Sequence, residues 1–263
     1  MFTPADHTFV ICAYGESPYL AECVETLKAQ TISTNIIMAT STPNSHVKMI
    51  AKQNNIPLLI NPNGPGIASD WNFAVSCATT PLVTIAHQDD TYEPRYVEYA
   101  LHKMSKVNKP LIFFTNYGEL RDGRIVDEND LLRIKRFLLK PISKKGVAST
   151  TKEKRSLLSK GSAICCPSVT LHVPLLTTPL FKAGMKSNLD WDAWERFSHL
   201  DGDFVYANDI LMHHRIHEGS ETSALIKDNT RTEEDLAMLE RFWPKPIARL
   251  INLAYMRGQA SNG

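Results

Sequence analysis

Two adjacent carboxylates, Asp89 and Asp90, close the run Pro81-Leu82-Val83-Thr84-Ile85-Ala86-His87-Gln88-Asp89-Asp90-Thr91-Tyr92-Glu93-Pro94. The run opens apolar and β-branched and turns polar at its end. That is the pattern of a buried strand stopping at a pair of acids, and it sets them at the carboxyl edge of a sheet, where open α/β sheets bind ligands. Neighbouring carboxylates are costly to hold ionised together, and a divalent cation on a diphosphate would relieve that cost. Asp90, with Glu93 three residues on and Pro94 next, reads as a helix start. Asp89, His87 and Gln88 are then left for chemistry. A second acidic pair, Asp190 and Asp192, opens a helical pattern running to Leu200. A carboxylate there is either a first-turn acid favoured by the helix dipole or a general base.

The elements that must position these groups follow from periodicity. Strands are predicted over His7 to Ala13, Asn35 to Thr40, Pro57 to Ile60 and Leu82 to Ala86. Helices are predicted from Ser17-Pro18 through Leu27, from Ser41-Thr42-Pro43-Asn44 to Gln53, over Ile67 to Ala78, and over Arg95 to Lys106. Four strand–helix units predict an α/β fold with a doubly wound, mostly parallel sheet. Further strands are expected at Leu111 to Asn116, Ala163 to Val173, Phe204 to Ala207 and Ile210 to Arg215, with a hairpin at Arg121-Asp122-Gly123-Arg124. Beyond Ser223 the pattern is helical. The organisation expected is one domain over residues 1–226 and a helical C-terminal extension, 227–263, packing on it.

Composition bounds the function. Balanced charge and an ordinary apolar content argue against disorder and against general nucleic-acid binding. Five cysteines without metal-like spacing fit a reducing compartment. No apolar run reaches membrane-spanning length and Met1 to His7 lacks signal-peptide features, so a cytoplasmic location is expected. The charge is unevenly spread. Between Arg133 and Lys160 ten Lys/Arg face one acid, Glu153, so this segment carries +9 in a chain of net +1 and the remainder carries −8. Such a field suits a solvated surface, a phosphate-rich ligand or the inner face of a membrane. The whole segment Arg133 to Lys160 is expected to be mobile without ligand and to lie over the acceptor side, because of its charge and because Gly146-Val147-Ala148-Ser149-Thr150-Thr151 has no clear periodicity.

Six stretches, in order, resemble the inverting family 2 glycosyltransferases, sugar-nucleotide enzymes of the GT-A fold. They are Cys12-Ala13-Tyr14-Gly15-Glu16, Asn63-Gly64 with Asp70-Trp71-Asn72, Ile85 to Asp90, Cys166-Pro167-Ser168-Val169, Leu189-Asp190-Trp191-Asp192-Ala193-Trp194, and His214-Arg215-Ile216-His217-Glu218-Gly219-Ser220. The resemblance covers roughly Thr8 to Ser223. It implies transfer of a sugar from a nucleotide-diphosphate sugar, a UDP-sugar first with dTDP- and GDP-sugars as alternatives, to a glycan or lipid-linked acceptor of surface polysaccharide synthesis. A divalent cation, Mn²⁺ or Mg²⁺, is the implied cofactor.

By the same resemblance Asp190 is the catalytic base, preferred over Asp192, which lies farther into the helix. Ala13, Tyr14, Glu16, Ser41, Asp70, Asn72, His87, Gln88 and Asp89 line the nucleotide-sugar pocket. Ser168 and Trp191 lie on the acceptor side, and Asp89 and His217 bind the metal; His213 is read as structural. Four positions depart from the family pattern: His87 replaces the first acid of the metal motif, Thr40-Ser41 replace the acids that end the second strand, Trp71 replaces an Arg, and Leu189 a Glu. Two other readings compete. A sugar nucleotidyltransferase would need a Gly-rich, basic phosphate loop after the first strand, which is absent. A non-catalytic sugar-nucleotide- or glycan-binding protein is suggested by His87 but opposed by the presence of both Asp89 and Asp190.

Overall fold

The computed structural model describes residues 1–217 and 230–260. The expected boundary at 226/227, Ser223 and the motif residues Glu218, Gly219 and Ser220 lie outside the described residues.

The first half of the chain is built as its periodicity predicts. Strands β1 (His7–Ala13), β2 (Asn35–Thr40), β3 (Leu58–Ile60) and β4 (Leu82–His87) alternate with helices α1 (Leu20–Lys28), α2 (Ser45–Gln53) and α3 (Ile67–Cys77). The strands pair in parallel in the order β3-β2-β1-β4. β1 thus has β2 on one side and β4 on the other, so the chain reverses its winding between them. Crevices at the carboxyl ends of such strands are where open sheets bind ligands.

After the two-residue β5 (Thr91–Tyr92), α4 (Tyr96–Met104) leads into the long β6 (Pro110–Arg121) and its hairpin partner β7 (Arg124–Val126). Asp122 and Gly123 form that turn at φ of 48° and 74°, the left-handed pair that a two-residue hairpin requires. The basic segment follows as α5 (Asp130–Ser143), the edge strand β8 (Val147–Ala148) and α6 (Thr151–Leu158). The chain then forms β9 (Val169–His172), α7 (Leu189–Phe197), β10 (Asp203–Ile216), α8 (Thr230–Leu239) and α9 (Lys245–Ala260). β9 enters antiparallel between β4 and β6, and the parallel pairing resumes between β6 and β10.

Helices cover both faces. One core gathers α1, α2 and α4 around Phe9, Tyr96 and Met104. The other gathers α3 and α5 to α9 around Trp191, Trp194 and Phe197, with Met238, Leu239 and Ala248 of the last two helices fully buried in it.

Three expectations are corrected. The two last strands are a single β10, whose register slips between Ala207 and Ile210 and again before His213. The break in the alternation there is a bulge, not a loop. Only Val169–His172 of the stretch Ala163 to Val173 is strand, because Cys166–Ser168 winds into a 3-10 turn carrying Pro167. The segment Arg133 to Lys160, expected to be mobile, holds regular structure even around Gly146: Val147 and Ala148 pair with Val205 and Phe204, and Thr150 caps α6 with Glu153 reaching back. The stretch from Gly146 to Thr151 lacks periodicity because a turn, an edge strand and a cap follow one another within six residues. The basic segment is partly structural as well, since the buried Lys154 donates to the carbonyls of Leu200 and Gly202 at 2.6 and 2.8 Å.

Candidate active site

The two acids at the end of β4 have separate tasks. Asp90 is fully buried, and its Oδ1 accepts from the Arg215 amide at 2.8 Å and lies 3.0 Å from Nδ1 of His214. The helix-start reading of Asp90 is therefore corrected: α4 begins six residues later, at Tyr96, and Asp90 ties the end of β4 to the end of β10. Burial acts to raise the pKa of Asp90, but His214, His87 and the Arg215 amide more than offset it and hold the group below the ordinary carboxylate value. His214 responds in kind. Burial acts against its charged form, and the partnership with Asp90 raises its pKa overall.

Asp89 is more open, with Oδ2 3.0 Å from Nε2 of His217. Arg215 frames both residues. Its Nε donates to the Asp89 carbonyl at 2.7 Å, its terminal nitrogen pairs with Glu22, and its guanidinium lies 4.3 Å from the Tyr19 ring centroid. His87 stacks on Trp71 at 5.2 Å and 25°, and its buried Nε2 has no hydrogen-bond partner. Burial holds the His87 pKa below its ordinary value.

Asp89 and His217 supply one carboxylate and one imidazole, side by side. Among the described residues no group of three or more His, Cys, Asp and Glu side chains could cage a metal. Two adjacent donors fit a divalent cation that takes its other ligands from phosphate oxygens and water.

Along the edge of β1 the pocket residues hold one another. Gln88 clamps Tyr14, accepting from its amide and donating to its carbonyl, both at 2.9 Å. Ser41 donates to Asp70 at 2.9 Å and Asn61 donates to its other oxygen at 2.8 Å. Tyr14 and Glu16 are exposed and border the crevice, while Ala13 is buried beneath them. Asn72 is committed elsewhere: its carboxamide exchanges hydrogen bonds with both main-chain groups of Phe181. Phe181 in turn packs against Trp71, so Asn72 sets the wall behind His87.

Asp190 lies at the start of α7, half-buried, with Oδ1 accepting from the Trp191 amide at 2.7 Å. Burial pushes its pKa up to about 6, against the opposing pull of that amide and of Arg231 and Lys135 nearby. A carboxylate poised there can take a proton near neutral pH. Asp192 cannot compete. Burial works to raise its pKa, but Arg241 and Arg196, bonded at 2.7 and 2.9 Å, bring it below the ordinary value.

Both acceptor-side expectations are corrected. Trp191 is fully buried and gives its indole N–H to the Leu158 carbonyl. It follows Asp190 by one residue, about 100° around the helix, so a base that faces the crevice turns Trp191 into the core. Ser168 is also fully buried, its hydroxyl donated to the Cys165 carbonyl. In their place the structure brings Lys135 of α5 and Arg231 of α8 toward Asp190, near enough for both charges to act on it. Lys135 had a sequence signal: it falls on the stripe Leu132, Lys135, Leu139, Ile142, whose other three members are buried. Arg231 sits in a polar stretch and had none.

Comparison with known proteins agrees with this geometry. The profile of the family described as Glycosyl transferase family 2 matches residues 8–160, more than half of the chain. Curated protein sequences give no significant match. Among solved structures, residues 1–349 of S. aureus TarS superpose with a TM-score of 0.63 at 12% identity, covering 97% of this chain and 72% of that one. The same protein with UDP-GlcNAc gives 0.63 at 14% identity, covering 97% and 73%. Glucosyl-3-phosphoglycerate synthase from Mycobacterium tuberculosis, in complex with Mn²⁺, UDP and phosphoglyceric acid, gives 0.57 at 13% identity, covering 89% and 78%. At such identities the likeness speaks for the fold.

Proposed function

Because the chain belongs to glycosyl transferase family 2, we propose that this GT-A glycosyltransferase inverts the anomeric centre as it moves a sugar from a UDP-sugar to a glycan or lipid-linked acceptor of surface polysaccharide synthesis. The observation that carries the reading is Asp190, a half-buried carboxylate in the first turn of α7 whose pKa is raised to about 6. The uridine choice is supported by the UDP-GlcNAc and UDP complexes of the two structural relatives; dTDP- and GDP-sugars are the alternatives.

In the proposed reaction the acceptor hydroxyl attacks the anomeric carbon from the face opposite the diphosphate. Asp190 takes its proton, the new C–O bond forms, and the bond to the diphosphate oxygen breaks with its electron pair leaving on UDP. Holding the nucleophile and base in line supplies much of the rate. Tyr14, Glu16, Ser41 and Asp70 border the nucleoside end of the crevice. His87, stacked on Trp71, lies at the end of β4 next to the diphosphate end, and Gln88 fixes the Tyr14 turn. A divalent cation held by Asp89 and His217, Mn²⁺ or Mg²⁺, would neutralise the leaving diphosphate.

One pH prediction follows. The base works only when ionised, so kcat should fall as pH drops through about 6, where Asp190 protonates. A stopped-time transfer assay from pH 4.5 to 8.5 checks this. A rate that stays flat to pH 4.5 would remove Asp190 from the role.

Acceptor delivery at the inner face of a membrane fits the outer surface of α5 and α9. Phe137, Ile247, Leu250 and Leu253 are 65%, 43%, 69% and 55% exposed. Around them Lys140, Lys144, Lys160, Lys245 and Arg249 are exposed, and α9 contains no acid. An apolar ridge rimmed by cations is what an anionic bilayer attracts. Among the described residues no helix is long and apolar enough to cross a membrane. Co-sedimentation with phosphatidylglycerol vesicles should exceed that with phosphatidylcholine vesicles. Leu250→Asp should reduce it by about tenfold, in line with the loss of a buried apolar side chain. Equal pelleting with both lipids would contradict the contact.

A further inference from the structure

Lys135 and Arg231 stand out among the charged side chains because, among the described residues, Lys135 Nζ and the buried Arg231 Nε have no hydrogen-bond partner. Lys135 is half-buried on the inner stripe of α5, with Nζ 5.3 Å from the Tyr117 ring centroid and no hydrogen-bond partner. A ring face relieves part of the charge and leaves the three N–H donors free. Arg231 is half-buried in the first turn of α8, and its buried Nε has no partner. Buried donors are almost always satisfied, and a charged one left alone is costly.

The packing places Arg231 beside Asp190, and Lys135 lies near enough for its charge to act on both. The first turns of α8 are fastened to the residues just ahead of α7. Glu234 accepts from the amides of Lys186, Ser187 and Asn188, and Asp235 accepts from the Asn188 side chain at 2.7 Å. Arg231 lies four residues before Asp235, on the same helix face. Asn188 precedes Asp190 by two residues, so this contact sets Arg231 at the mouth of α7. The nearby carboxylates are engaged: Glu119 accepts from Arg121 and Asn129, both at 2.7 Å, and Asp235 is held by Asn188. The two like charges also bear on each other, and burial lowers the pKa of Lys135. Two cations grouped beside one carboxylate, with hydrogen-bond donors left open, suit a ligand that carries negative charge.

We infer that Lys135 and Arg231 form a subsite for an oxyanion, a phosphate or a carboxylate, carried by the acceptor close to the hydroxyl that is attacked. The inference rests on the reading of Asp190 as the base. In an inverting displacement the base and the leaving diphosphate lie on opposite sides of the sugar carbon. Cations grouped with the base therefore serve the acceptor, while the donor diphosphate is met at Asp89 and His217. The acceptor class that follows is an anionic glycan or a phosphate-bearing polyol or lipid head, and a neutral sugar chain would leave both cations unsatisfied.

The test titrates the full chain, saturated with UDP and Mn²⁺, with glycerol 1-phosphate, glycerate and glycerol by calorimetry. Wild type should bind glycerol 1-phosphate or glycerate but not glycerol, and the stronger of the two identifies the oxyanion as phosphate or carboxylate. Lys135→Gln and Arg231→Gln should each weaken that binding at least ~10-fold, the scale of a charge-assisted hydrogen bond. Lys135→Arg should retain it, and UDP affinity should stay unchanged in all three variants. Neither Gln substitution should unfold the chain, because each removes an unsatisfied charge; the melting temperature verifies this. The inference is overturned if both Gln variants bind the anions as wild type does, if wild type binds none of the three probes, or if UDP affinity falls in parallel. Asp190→Asn keeps the two readings apart. It should bind the anion at least as tightly as wild type, having lost a neighbouring carboxylate, whatever its transfer activity proves to be.

Discussion

Asp190→Asn is expected to lower sugar transfer by a factor of about a hundred to ten thousand, the usual cost of losing a positioned acid–base group. UDP affinity should remain at the wild-type value, since Asp190 acts on the acceptor hydroxyl and not on the nucleotide. Stability should not fall. The folded-state pKa of Asp190 is raised to about 6 from 3.8, so at neutral pH its ionised form works against folding, and that cost is absent only at pH values below both. The amide removes the charge and keeps the shape, which predicts a melting temperature at pH 7.5 equal to or above wild type. Asp192→Asn is the control with the opposite signature. It weakens the contact to Arg196 within α7 and the contact to Arg241 that joins α7 to the chain after α8, so it should lose stability while transferring sugar at a rate near wild type once folded.

Asp89→Ala should abolish the gain in UDP affinity that Mn²⁺ confers, measured by titrating UDP with and without the ion. The fold should survive, because among the described contacts the Asp89 side chain meets only His217. Asp90→Ala should do the reverse. It leaves His214 and the Arg215 amide without their acceptor in a buried place, a loss of about 3 kcal/mol. For a chain of this size that corresponds to a fall of roughly 6–12 °C in melting temperature. If instead Asp89→Ala unfolds the protein and Asp90→Ala leaves its stability intact, the division of labour between the two acids has been assigned the wrong way round.

The contrast between Asp89 and Asp90 also shows what the sequence could and could not reveal. Strand and helix positions in the first half were legible to within a few residues, because the elements there bury faces of simple period and several end at a Pro, Gly or Asn signal. The position of Asp190 was legible through a motif on one short stretch of chain. The task of Asp90 was not, since its partners His214 and Arg215 lie more than 120 residues away. A local capping pattern was available as a competing explanation, and only the hydrogen bonds from the end of β10 to the Asp90 side chain displace it. Trp191 was misplaced for a related reason: composition marks an aromatic residue as useful to a sugar, but helix geometry decides which way it points. Lys135 could have been suspected from a charge on an apolar stripe. Arg231 required the fold, because its significance depends on the contact of α8 with the residues that precede α7.

The central claim is inverting transfer with Asp190 as the base, and proton NMR of the product tests it most directly. Wild type and Asp190→Asn would be incubated with Mn²⁺, a panel of α-linked UDP-sugars and phosphate-bearing acceptors, and the anomeric coupling of any new linkage measured. The account predicts a β-linked product from wild type with one of these donors and almost none from Asp190→Asn. An α-linked product, or transfer by Asp190→Asn at the wild-type rate, would contradict it.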